Sequence, residues 1–149
     1  MKMPRPDTLQ RDDAHSCSAT GPTVYFDGSC PLCTVEIKHY ASRENGESLD
    51  FVDVSADTST LGPGLEADAA MRRFHVRLPD GSLLSGARAF IAIWETLPGW
   101  RWLARVAQVP GVPTLLEGAY RVFLPIRPIL SRIAQLLGAQ AANPKRDTR

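Results

Sequence analysis

Long apolar runs, net charge and cysteine are all scarce in this 149-residue chain, and each shortage removes a class of protein. No stretch approaches the roughly 18 uncharged apolar residues of a membrane-spanning helix. The nearest, Tyr120 to Gly138, is interrupted by Arg121, Pro125, Arg127, Pro128 and Arg132. The first twenty residues carry charge and proline where a signal peptide needs an apolar core, so neither secretion nor N-terminal membrane insertion is expected. Lys and Arg number 17 against 16 Asp and Glu, a net charge of +1. That supplies no broad field for gripping a phosphate backbone, and no nucleic-acid partner is expected. Three unevenly spaced cysteines do not make a disulfide scaffold, and a chain of this length buries a core without one. The setting expected is cytoplasmic and reducing, where cysteines are more often reactive or metal-bound than bridged.

What is present reads as one α/β domain. Residues 1–22 and 139–149 are expected as flexible tails, with the domain over 23–138. Thr23-Val24-Tyr25-Phe26 is a β-branched and aromatic run ending at Asp27-Gly28-Ser29, a strand meeting a loop. A helix follows with Pro31 in its first turn and Cys33, Ile37, Tyr40 and Ala41 on its apolar face, closed by Asn45-Gly46. Leu49 to Val54 predicts a second strand, parallel to the first through a right-handed crossover. Leu65 to Arg73 predicts a short helix. Phe74, Val76 and Leu78 alternate as a strand, Asp80-Gly81 turns it, and Ser82 to Ser85 returns. Phe90, Ile91, Trp94 and Leu97 form a helical stripe stopped by Pro98-Gly99. The order is β-α-β-α-β-β-α. From about residue 100 the pattern is helical, and Pro110, Pro113, Pro125 and Pro128 predict three short helices packed on the core.

The chemistry concentrates in Cys30-Pro31-Leu32-Cys33, a Cys-x-x-Cys pair where a strand gives way to a helix. Backbone N–H groups at a helix N-terminus favour negative charge, so Cys30 is expected as the thiolate nucleophile. Cys33, one turn on and part of the apolar face, is expected to be the less exposed, resolving thiol. Attack by Cys30 on a disulfide, followed by attack of Cys33 on the mixed disulfide, would leave a Cys30–Cys33 bridge; the reverse would oxidise a dithiol. Asp27 either opposes the helix field at Cys30 or relays a proton at Cys33. Pro31 starts the helix or tunes the dithiol, and Gly28 permits a tight loop or close approach of a partner chain. The electrons reside on the two sulfurs, so no metal or organic cofactor is required.

With Asp27, Cys30 and Cys33 placed, the chain resembles the DCC family of predicted thiol-disulfide oxidoreductases, named for an Asp-x-x-Cys-x-x-Cys signature. The likeness extends through Ala70-Met71, His75-Val76, Gly86-Ala87-x-Ala89-Phe90, Leu97-Pro98-Gly99-Trp100 and Tyr120-Arg121. It implies a thioredoxin-like fold carrying a C-terminal helical extension, a protein-disulfide reductase type of activity, and Asp27, Cys30 and Cys33 as the functional positions. Substrate would be a protein disulfide or a low-molecular-weight thiol, met by Gly28, Ser29, Pro31 and Leu32. Proteins of the thioredoxin group usually set a cis-proline against the dithiol. Here that place falls near Met71 to Phe74 without proline, leaving Met71 as a wall of the groove. Val112-Pro113-Thr114 imitates the missing text but lies too far from Cys33.

Three other classes compete. His15, Cys17, Cys30 and Cys33 amount to a Cys3His zinc set, against which Pro31 commits Cys30 to a helix start. Phe26-Asp27-Gly28-Ser29 is similar to the start of an aspartyl-phosphate phosphatase loop, but the second acid such chemistry needs is Ser29. Trp94, Trp100, Trp102, Leu103 and Tyr120 to Leu137 would suit a protein or membrane-surface contact, with Arg121, Arg127 and Arg132 toward anionic headgroups. Their ordinary reading is helix packing around a core with a solvated basic face. His39 and His75 read as surface or strand histidines rather than ligands.

Overall fold

The computed structural model describes residues 21–139. The tails and the candidate ligands His15 and Cys17 therefore lie outside the described residues, apart from the ends 21–22 and 139. Strand β1 (Thr23–Phe26) leads through helix α1 (Pro31–Ala41) to β2 (Asp50–Asp53), then through α2 (Ala67–Arg72) to β3 (His75–Arg77), β4 (Leu83–Ser85) and α3 (Ala87–Thr96). The sheet runs β2-β1-β3-β4, with β1 and β2 parallel and the β1/β3 and β3/β4 pairs antiparallel. This is the thioredoxin-like arrangement, in the predicted element order.

Alternation along β1 builds two cores. Val24 and Phe26 face α1 and α3, meeting Ile37, Tyr40, Val76, Ile93 and Leu97. Tyr25 points the other way, against Val54, Leu61, Leu65 and Ala70. Helix α1 buries Ile37 and Tyr40 as predicted, but with Pro31 and Thr34 in place of Cys33, which is half-buried, and Ala41, which is exposed.

Beyond α3 the prediction of three short helices fails. After α4 (Arg101–Ala107), residues 112–136 form one 25-residue helix, α5 (Val112–Leu136), which runs through Pro125 and Pro128. Each proline removes one backbone N–H, at a cost of about 3 kcal/mol in a helix interior. Both prolines sit on exposed positions, and the side chains packed inward, from Tyr120 and Phe123 through Leu124 and Arg127 to Ser131, span both breaks. Packing on the inner face, absent from local propensity, carries the helix across them. Val112-Pro113-Thr114 forms its first turn and not a strand. The outward face was expected to cover a core, but Leu115, Val122, Ile126, Ile129, Ile133 and Leu136 are exposed. No described helix is long and apolar enough to cross a membrane.

One carboxylate fastens α5 to the sheet. Glu117 pairs with Arg73, accepts from Arg121 Nε at 3.1 Å, and accepts the first backbone N–H of α3, at Ala87, at 3.1 Å. Gly86, at φ 62°, permits the approach, because a Cβ there would stand 2.4 Å from Glu117 Oε2. Tyr120 adds a second latch by accepting the Phe74 backbone N–H at 2.8 Å. Arg73, helped by the α3 N–H and Arg121, holds the Glu117 carboxyl down at about 2. Its folded-state value lies below its unfolded one, so the stabilisation is present above about pH 4.5 and lost as pH falls toward 2. Glu117→Gln is expected to cost about 1–2 kcal/mol at neutral pH and much less near pH 2, as measured by urea denaturation at both.

Candidate active site

Between β1 and α1 the chain turns sharply. Asp27 accepts the Cys30 N–H on its backbone oxygen at 3.1 Å and the Ser29 N–H on Oδ1 at 2.9 Å. The Ser29 hydroxyl donates to the same carboxylate oxygen. Gly28 donates its N–H to Asp53 Oδ1 at 2.9 Å, and any Cβ at position 28 would collide with that carboxylate. Close approach of Asp53, from the neighbouring strand, is what requires the glycine. Cys30 then occupies the N-cap of α1 with Pro31 opening the first turn. Both sulfurs are free thiols.

The C-terminal helix completes the site from about a hundred residues away. Arg127 Nη2 donates to Asp27 Oδ2 at 2.7 Å, its Nε donates to Cys30 Sγ at 3.4 Å, and its Nη1 donates to the Met71 backbone oxygen at 3.4 Å. Ser131 Oγ lies 3.1 Å from Cys30 Sγ. Helix α5 thus covers Cys30, which is only 6% exposed, whereas Cys33 is half-buried. The predicted order of exposure is reversed, because the element that buries Cys30 was read as separate short helices. The guanidinium read as part of a solvated face is turned inward; Arg121 and Arg132 remain exposed.

These contacts drive the two thiols apart. The Cys33 thiol, Ser131, Arg127 and the Cys33 backbone N–H together bring Cys30 down to about 4, against burial, which opposes the charge. Cys33 is pushed well above the usual thiol range by its bond to Cys30, by burial and by the charge of Asp27, with Arg127 opposing. Cys33 lines a narrow cavity of about 30 Å³, shared with Leu32, Met71, Phe90 and Glu36, with room for a water or two. Burial raises the Glu36 carboxyl; Tyr40 opposes this by donating to Oε1 at 2.9 Å, and the Cys30 charge adds to it. On the other side, Ser29, Cys30 and Pro31 border a wider cleft of about 420 Å³ against α5.

Of the residues read from sequence, Asp27, Cys30 and Cys33 are brought together, Leu32 and Met71 line the inner cavity, and Ser29 and Pro31 the outer cleft. Gly28 is buried behind them. Among the described residues no group of three His, Cys, Asp or Glu is placed to hold a metal, and no peptide bond is cis. Arg127, Ser131 and Glu36 were missed. Their signal was present: Arg127 and Ser131 follow Tyr120, Phe123 and Leu124 at helical spacing, polar groups on an inward stripe, and Glu36 stands one turn after Cys33.

The thiolate ultraviolet absorbance of Cys30 is expected to titrate near pH 4. Arg127→Gln raises that midpoint by about one pH unit by removing the adjacent cation. A wild-type midpoint near the free-thiol value of about 8.5 contradicts the arrangement.

The comparisons with known proteins agree with this geometry. Residues 24–133 match the model of the DCC1-like thiol-disulfide oxidoreductase family. An uncharacterized chloroplastic protein of Arabidopsis thaliana is 28% identical over 107 residues, covering 70% of this chain and 50% of the relative, so the chain spans about half the length of that curated protein. No solved structure gives a significant match. A family match running from β1 into the helix that carries Arg127 takes in every group described around the dithiol, and the chain belongs to the DCC1-like thiol-disulfide oxidoreductase family.

Proposed function

We propose that Cys30 and Cys33 exchange a dithiol for a disulfide with a protein disulfide or a low-molecular-weight thiol compound, in the manner of a disulfide reductase. The observation that carries the reading is a Cys30 sulfur at the start of α1 bonded by Arg127 and Ser131, contacts that lower its pKa to about 4, with Cys33 pushed the other way beside it. Cys30 attacks one sulfur of the substrate disulfide, a Cys30–substrate bond forms, and the other sulfur leaves with the electron pair. Cys33 then attacks Cys30, the second substrate sulfur leaves, and the bridge closes. A thiolate stabilised this far also stabilises the reduced pair, which raises its reduction potential. The reading needs surroundings that return the pair to the dithiol, and the cytoplasm expected from the sequence is one.

The Cys33 proton has to go somewhere during closure. Both oxygens of Asp27 are engaged, by Ser29 and by Arg127, so we assign Asp27 to holding Arg127 beside Cys30. Glu36 borders the same cavity as Cys33, with Oε2 accepting no hydrogen bond from the described residues, and we assign proton uptake to it. In a rapid-mixing assay, Glu36→Gln is expected to slow closure at least tenfold and leave the first attack unchanged. If Asp27→Asn alone slows closure, the relay belongs to Asp27.

Cys33→Ser is expected to accumulate a mixed disulfide on Cys30, visible by mass and released by dithiothreitol. No adduct on this variant, and no bridge in the wild type after oxidation, would overturn the proposal. The exposed apolar face of α5 favours a second reading, contact with a protein or membrane surface. For the membrane form, anionic vesicles at low salt are expected to carry the protein upward on flotation, and failure removes it.

A further inference from the structure

Resting on the exchange reading, we propose that the cleft beside Cys30 selects small disulfides that carry carboxylates, with Arg132 as the carboxylate anchor. The cover over the sulfur keeps an extended polypeptide from it: Cys30 is 6% exposed, with Ser131 and Arg127 of α5 on its Sγ. What remains open is a cleft of about 420 Å³ lined by Ser29, Cys30, Pro128, Ser131, Arg132 and Gln135, a size suited to a small molecule.

The charges in the cleft decide what kind. Arg127 is outweighed by Asp27 and the Cys30 thiolate, two negative charges against one positive, so it offers an incoming anion no free charge. Arg132 is exposed and makes no ion pair with any described residue. Arg132 and Cys30 line the same cleft, so a small disulfide seated there with one sulfur facing Cys30 can turn a carboxylate toward the guanidinium. The Ser29 and Ser131 hydroxyls and the Gln135 amide offer further donors. Attack forms the Cys30–S bond, breaks the substrate S–S bond and releases one carboxylate-bearing thiolate; closure by Cys33 releases the second.

The test mixes fully reduced full-length protein with dithiodiglycolate, bis(2-hydroxyethyl) disulfide and cystamine, which are anionic, neutral and cationic, and with insulin. Each rate is divided by that of free dithiothreitol with the same compound. A bare thiolate prefers the cation, so preference for the anion is diagnostic. The anion-to-neutral ratio is expected to be about fivefold above unity, to be kept by Arg132→Lys, and to fall to unity or below in Arg132→Glu, whose exposed position spares the fold. A ratio unchanged in Arg132→Glu, or insulin reduced faster than the anion, overturns the inference. Failure of all four compounds to close the Cys30–Cys33 bridge, read by mass, instead brings down the exchange reading itself.

Discussion

Arg127 is the side chain on which the rest of the site depends. One guanidinium, mostly withdrawn from solvent, bonds the carboxylate of Asp27, the sulfur of Cys30 and the backbone oxygen of Met71. It thereby joins the end of β1, the start of α1, the last turn of α2 and helix α5 at one point. A planar fork of donors suits this, where a lysine ammonium would serve fewer partners. The carboxylate keeps the cation in place, and the cation keeps the thiolate in place. Without Asp27 the guanidinium would lose its shortest contact; without Arg127 two negative groups would face each other behind a helix.

The helix that brings Arg127 is held by contacts at both ends of the inward stripe. Near its beginning Glu117 caps α3 and pairs with Arg73, while Tyr120 closes on Phe74. Further along, Arg127 and Ser131 reach the dithiol. Substrate access and thiolate stabilisation are therefore consequences of one element. The same helix that lowers the charge cost at Cys30 narrows the path to it, while Cys33, half-buried, lines the inner cavity. A pair of thiols with pKa values shifted in opposite directions on two sides of one turn suits the proposed exchange, in which one thiol attacks as thiolate and the other keeps its proton.

Much of this was legible beforehand. The alternation of Val24, Tyr25 and Phe26, the turn at Asp80-Gly81 and the placement of Cys30 after a strand and before Pro31 are local features, and local features survive into the fold when packing agrees with them. Where packing disagreed, the reading failed. Pro125 and Pro128 signalled breaks that the inward stripe of α5 overrides. Cys33 and Ala41 looked apolar enough to be core, yet Pro31 and Thr34 took that place because α1 lies on the sheet at a slightly different rotation.

From the residues alone come the β-α-β-α-β-β-α order, the parallel crossover and a cysteine at a helix start, because turn chemistry and periodicity act between neighbours. Only the tertiary structure decided that Arg127 and Ser131, some hundred positions downstream, close over that cysteine, and that Glu36 and Cys33 line one cavity with Met71 and Phe90. Helical spacing puts Arg127 and Ser131 on one stripe with Tyr120 and Phe123, but which surface that stripe covers is a meeting of distant segments that local spacing does not name.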